Sequence, residues 1–270
     1  MSISEILQLE FMQRALIGGL IVAIVTAMLG VFVTLRKEAF IGDGISHAAL
    51  AGVSFAFFVS IAPFWMSIIT AVFMAIGVTF LQKKSKLSAD SVIGVFFTLL
   101  FALGIVIFNI TPGYKPEIST YLFGSILAVT WGDIFASLGV SLVVVIVFSL
   151  LYKQFLYATL DPEAAYLRNV KVRTLDYLIR VLVAIGIVIS IKLVGVILVS
   201  ALLIIPASAI KLLARRFTHM IPLTILFSLA GTVVGLIVSF YWNLPSGATI
   251  VLVLGVMFMV IFSMKGISRE

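Results

Sequence analysis

Apolar runs long enough to cross a bilayer recur along almost the whole chain, and this constrains the fold more than any other feature. An α-helix rises 1.5 Å per residue, so about 20 apolar residues cover the roughly 30 Å of hydrocarbon. Stretches such as 15–35 and 141–151 are apolar on nearly every face, where the strands of a membrane barrel would alternate apolar and polar positions. The reading is an all-α, polytopic membrane helical bundle. Composition agrees: 63% of the 270 residues are hydrophobic, and only 18 are basic and 11 acidic. A soluble domain, with about 25% charged residues, has far more polar surface to cover its core.

Nine spans are expected, near 15–35, 41–62, 64–81, 92–110, 133–152, 175–191, 194–213, 220–241 and 248–264, within a range of eight to ten. The stretch 121–129 is too short to cross and reads as a re-entrant or interfacial piece. Gly195, Pro206, Pro222 and Gly235 fall inside spans and predict kinks and close packing rather than helix ends. No repeat or long linker divides the chain, so residues 1–270 read as one transmembrane domain. Residues 1–10 carry Glu5 and Glu10 in place of a basic leader, so the first span is expected to be retained.

The basic residues decide orientation. Fourteen of the 18 lie in the connections 36–40, 82–91, 153–174 and 211–219 and in the tail 265–270, against Arg14, Lys115 and Lys192 on the other side and Arg180 inside a span. Basic connections face the cytoplasm, which places the C-terminus there. The same bias accounts for the net charge of +7 without a nucleic-acid partner. The largest hydrophilic insertion, 153–174, contains Asp161-Pro162-Glu163, a helix-start signal followed by Ala164, Ala165, Tyr166 and Leu167.

An ionisable residue inside a membrane is costly and asks for a function. The second span opens Gly42-Asp43-Gly44-Ile45-Ser46-His47, with an acid and an imidazole four residues apart. On a helix the two lie about 40° apart around the axis and about 6 Å apart along it, facing one point. A carboxylate and a neutral imidazole suit a divalent transition metal, and two donors hold it weakly, as transport requires. Gly44, Ala48 and Gly52 form a strip of small residues beside them and predict close approach by another helix. Ser88 or Asp90 is expected to cap the fourth span, and Asp176 either to cap the sixth or to serve in partner contact. His219 reads as a loop residue and Asp133 as interfacial, beside Trp131.

Absences narrow the chemistry. Without Cys there are no disulfides or thiolate ligands. No G-x-x-x-x-G-K-[ST] loop is present, so any ATP would be bound by a separate subunit, and no H-E-x-x-H supports a zinc protease.

The run from Leu35 to Val53, with its G-D-x-x-S-H core, resembles the hallmark of the permease subunit of metal ABC importers of the zinc, manganese and iron uptake type. Asp90-Ser91-Val92-Ile93-Gly94, the 121–127 run, Asp161-Pro162-Glu163, and Gly195 with 199–207 extend the resemblance over nearly the whole chain. It implies a fold similar to the cobalamin importer's permease, in a bacterial plasma membrane. The implied partners are a second copy of the chain, cytoplasmic ATPase subunits and an external metal-binding protein. Asp43 and His47 would then contact a transported zinc or manganese ion, with no permanently bound cofactor and no catalytic residue. Asp161, Pro162, Glu163, Ala164, Ala165 and Tyr166 would form the helix that couples to the ATPase, where Asn169 replaces an expected Gly. The rival expectation is a secondary metal transporter driven by an ion gradient, with Asp43 and His47 relaying protons. Such transporters usually carry a structural repeat, and none is evident.

Overall fold

The computed structural model describes residues 8–85, 87–112, 129–214 and 216–267. Ten α-helices and one 3-10 turn account for most of them, and no strand occurs among the described residues. The helices are α1 (Glu10–Leu35), α2 (Ile41–Val59), α3 (Pro63–Lys84), α4 (Ala89–Ile110), α5 (Trp131–Leu160), α6 (Pro162–Leu167), α7 (Val172–Val194), α8 (Val196–Leu213), α9 (Met220–Trp242) and α10 (Ser246–Ile267). All but the short α6 are long and apolar enough to span a membrane, giving nine such helices among the described residues. Each overlaps one of the expected spans. Positions 121–128 of the expected re-entrant piece lie outside the described residues.

Helix ends differ from the expected spans for physical reasons. The fifth span was expected over 133–152, yet α5 runs 30 residues to Leu160. Hydropathy marks the hydrocarbon, whereas a helix continues past it wherever propensity allows. Most of the expected 153–174 loop is therefore helical, as the end of α5, all of α6 and the start of α7. Gly195 corrects the reading of kinks. It separates α7 from α8 at φ 82°, a conformation that favours glycine, and so marks a helix boundary. Pro206 does lie inside α8 and Pro222 in the first turn of α9.

The described residues fall into two compact units. One is drawn from Met1–Thr34, Ile118–Ser141 and Ile189–Glu270. Within it α8 packs on α9 and α10, and α9 on α10. A Cβ at Gly235 would lie 2.6 Å from Ile250 Cα, and one at Gly30 would collide with the Leu203 carbonyl, so these backbones approach too closely for side chains. Buried hydroxyls turn back onto their own helices: Thr26 donates to Val22 O at 2.7 Å and Thr224 to Met220 O at 2.7 Å. In an apolar core this supplies the partner that water would otherwise give. Asp133 pairs with Lys192 at 2.9 Å and accepts the Thr130 hydroxyl at 2.6 Å.

The other unit comprises Leu35–Glu117 and Leu142–Val188. Its centre is α2, which packs on both α3 and α4. The G-D-x-x-S-H run and the Glu38–Arg180 pair described below both belong to it.

Candidate metal-contact site on helix α2

The chain reaches α2 through a tight turn. Lys37 takes the left-handed conformation at φ 57°, and the Ile41 amide donates to Glu38 O at 3.1 Å. The helix ends at Ser60, also left-handed at φ 56°, whose amide donates to Ala56 O. Ala48 is completely buried. A Cβ at Gly44 would fall 2.6 Å from Met74 Cε and 2.8 Å from Ile93 Cγ2, while one at Gly52 would fall 2.7 Å from Met66 O and 2.8 Å from Ser67 Cα. From the opposite side, a Cβ at Gly104 of α4 would meet Ala51 Cα at 2.8 Å. The Ser67 hydroxyl donates to Ala49 O at 3.1 Å, adding a polar tie between α3 and α2. Small residues thus let α2 sit at backbone distance from its neighbours.

Asp43 and His47 are half-buried and stand one helical turn apart. The imidazole lies edge-on to two rings of α4, Phe97 at 4.7 Å and Phe101 at 4.8 Å between centroids. Those rings are parallel to within 4°, their centroids 6.1 Å apart. His47 Nδ1 is buried without a hydrogen-bond partner. No cluster of three or more His, Cys, Asp or Glu side chains occurs among the described residues. The arrangement therefore offers a carboxylate and an imidazole, short of the four ligands of a structural zinc site. Phe97 and Phe101 were not singled out from the sequence, although their four-residue spacing places both on one face of α4.

A second polar cluster was also missed. Arg180, noted only as a charge inside a span, is 3% exposed and grips Glu38, itself 3% exposed. Arg180 Nη2 donates to Glu38 Oε1 at 2.5 Å and Nε donates to Oε2 at 3.1 Å. The same guanidinium donates to Thr79 Oγ1 at 3.1 Å and to Gln82 Oε1. Asp176 is not a cap, because α7 begins at Val172. It bridges Arg36 Nη2 at 3.0 Å and Lys83 Nζ at 2.9 Å.

The remaining sequence candidates have simpler surroundings. Ser88 caps α4 by accepting the Ser91 amide at 3.2 Å, with Asp90 in the first turn. Asp161 caps α6 by accepting the Ala164 amide at 2.9 Å, with Pro162 and Glu163 opening the helix, Ala165 buried and Tyr166 76% exposed. Asn169 takes the left-handed conformation at φ 58°, where asparagine serves in place of the expected glycine, and Val170 N donates to Ala165 O at 3.0 Å. His219 is exposed in the 3-10 turn Phe217–His219.

Nine hydrophobic helices among the described residues, with a half-buried acid and imidazole on one turn of a packed helix, define a polytopic membrane protein with a polar site inside a span. Residues 8–265 match the model of the ABC 3 transport family, and the chain belongs to that family. It is 34% identical to the manganese transport system membrane protein MntC of Halalkalibacterium halodurans, over 96% of this chain and 88% of that one. It is 30% identical to the high-affinity zinc uptake system membrane protein ZnuB of Haemophilus influenzae, over 90% and 93%. Among solved structures, PsaBC from Streptococcus pneumoniae in complex with Fab superposes with a TM-score of 0.84 at 32% identity, covering 96% of this chain and 94% of that one.

Proposed function

We propose that this chain is the permease of an ATP-driven importer of divalent transition-metal ions, manganese or zinc, in which Asp43 and His47 contact the ion as it passes. The observation that carries the reading is the placing of a carboxylate and an imidazole one turn apart on α2, the helix gripped by α3 and α4, in a member of the ABC 3 transport family. A bare divalent ion in hydrocarbon is prohibitively costly, so it must meet polar groups along a wet passage. Two protein donors replace only part of its water shell and let it go again. Relatives named for manganese and for zinc support the class of cargo. Family membership favours this reading over a gradient-driven transporter.

The same reading assigns the partners. A second copy of the chain completes the passage, two cytoplasmic ATPases supply the energy, and an external binding protein delivers the metal. The α6 segment, Asp161 through Tyr166, seats on the ATPase with its exposed Tyr166. The C-terminus and the basic connections face the cytoplasm of a bacterial plasma membrane.

The test is uptake resolved by element in cells expressing the whole transporter. Asp43→Ala and His47→Ala each lower manganese or zinc accumulation at least about 100-fold, since each removes one of two donors, while the folded variants reach the membrane in normal amount. Normal accumulation by either variant refutes the assignment of that residue.

A further inference from the structure

Beside the Glu38–Arg180 pair lies a cavity of about 470 Å³ whose charged lining is Arg36, Lys37, Glu38, Lys83, Asp176 and Arg180. That volume falls in the range of small-ligand sites. We propose that it binds a phosphate-bearing anion, held chiefly by Arg36 and Lys37.

Charge is the first argument. Four cations line the cavity against two carboxylates, and both carboxylates are already engaged. Arg180 holds both oxygens of Glu38, and Arg36 and Lys83 approach one oxygen each of Asp176. The excess positive charge therefore has no acid within the cavity to meet it.

Unspent donors are the second. The Arg36 side chain is only 11% exposed, and its Nε donates to Thr159 Oγ1 at 3.2 Å. Its Nη2 is buried and ion-paired with Asp176 Oδ1 at 3.0 Å, but not aligned for a hydrogen bond to it. A guanidinium paired by charge but not aligned for a hydrogen bond keeps donors for a tetrahedral oxyanion, which its planar fork suits. Lys37 is exposed, and its ammonium makes no ion pair or hydrogen bond among the described residues.

Position is the third. The cavity is lined by the last turns of α1, α3 and α5 and the first turns of α7, ends of spans whose basic connections are expected to face cytoplasmic headgroups, and Phe40, three residues beyond Lys37, leaves 60% of its surface exposed. Basic pockets between spans at this depth take anionic headgroups. The phosphodiester of phosphatidylglycerol and free inorganic phosphate share the chemistry required.

The experiment uses the full chain with its partner subunits, purified and placed in nanodiscs. In phosphatidylcholine discs inorganic phosphate is titrated directly. In discs containing one-fifth phosphatidylglycerol the retained lipid is counted by native mass spectrometry. A lipid site retains phosphatidylglycerol over phosphatidylcholine and is indifferent to inorganic phosphate; a free-phosphate site saturates in the first arm. In either case Lys37→Gln and Arg36→Gln weaken binding about tenfold, and Lys153→Gln, the same charge change on α5 outside the cavity lining, does not. Lys37 is exposed, so Lys37→Gln remains decisive if Arg36→Gln fails to fold. Absence of binding in both arms, or equal effects of Lys37→Gln and Lys153→Gln, overturns the proposal.

Discussion

Glu38 and Asp43 are neighbours in the chain, both carboxylates next to or inside the membrane, and their surroundings are opposite. Glu38 is buried and both its oxygens are taken by one guanidinium, which also reaches Thr79 and Gln82. Asp43 stays half-buried, one turn from an imidazole whose Nδ1 has no hydrogen-bond partner and whose ring is walled by phenylalanines. A buried charge with its bonding capacity filled holds parts of the fold together; an imidazole nitrogen left without a partner can take up something else. The saturated cluster lies on the approach to α2, and the half-buried acid and imidazole sit on the helix it leads into.

The largest expected effect tests the saturated side. Arg180→Met strands the buried Glu38 carboxylate without its cation and should cost about 3–5 kcal/mol, read as a lowered unfolding midpoint of purified protein, and adding Glu38→Gln should restore most of it. Asp43→Ala should leave that midpoint nearly unchanged; an equal loss from both would erase the distinction. A smaller effect probes how full the cluster is. Thr79→Val keeps shape and removes one acceptor from Arg180, so a loss of about 1–3 kcal/mol follows, whereas a neutral outcome would mean that Arg180 has bonds to spare. The smallest effect concerns what holds the imidazole. A double-mutant cycle of His47→Ala with Phe101→Ala should give a coupling of about 0.5–1.5 kcal/mol in stability; zero coupling would mean the ring contact contributes nothing to orienting His47.

The contrast between these pairs also marks what can be read from a sequence. Asp43 and His47 are legible because their relation is local: four residues on a helix put two side chains on one face whatever the rest of the chain does. The nine spans are legible because bilayer thickness imposes length and composition directly on each segment. Glu38 and Arg180 are 142 residues apart, and periodicity carries no record of that pairing. Arg180 was visible as a misplaced charge but its partner was not. Asp176 misled for the same reason, since an acid near a helix start has the pattern of a cap, and only the fold brings Arg36 and Lys83 to it. The walls of the site, Phe97 and Phe101, were lost among 22 phenylalanines.

Helix α5 is longer than the membrane it crosses. Its 30 residues span about 45 Å along the axis against roughly 30 Å of hydrocarbon. A helix of this length either tilts or carries its last turns beyond the hydrocarbon, and α6 follows immediately at its end. With those turns beyond the hydrocarbon, a partner seated on α6 as proposed above would need no affinity for lipid of its own.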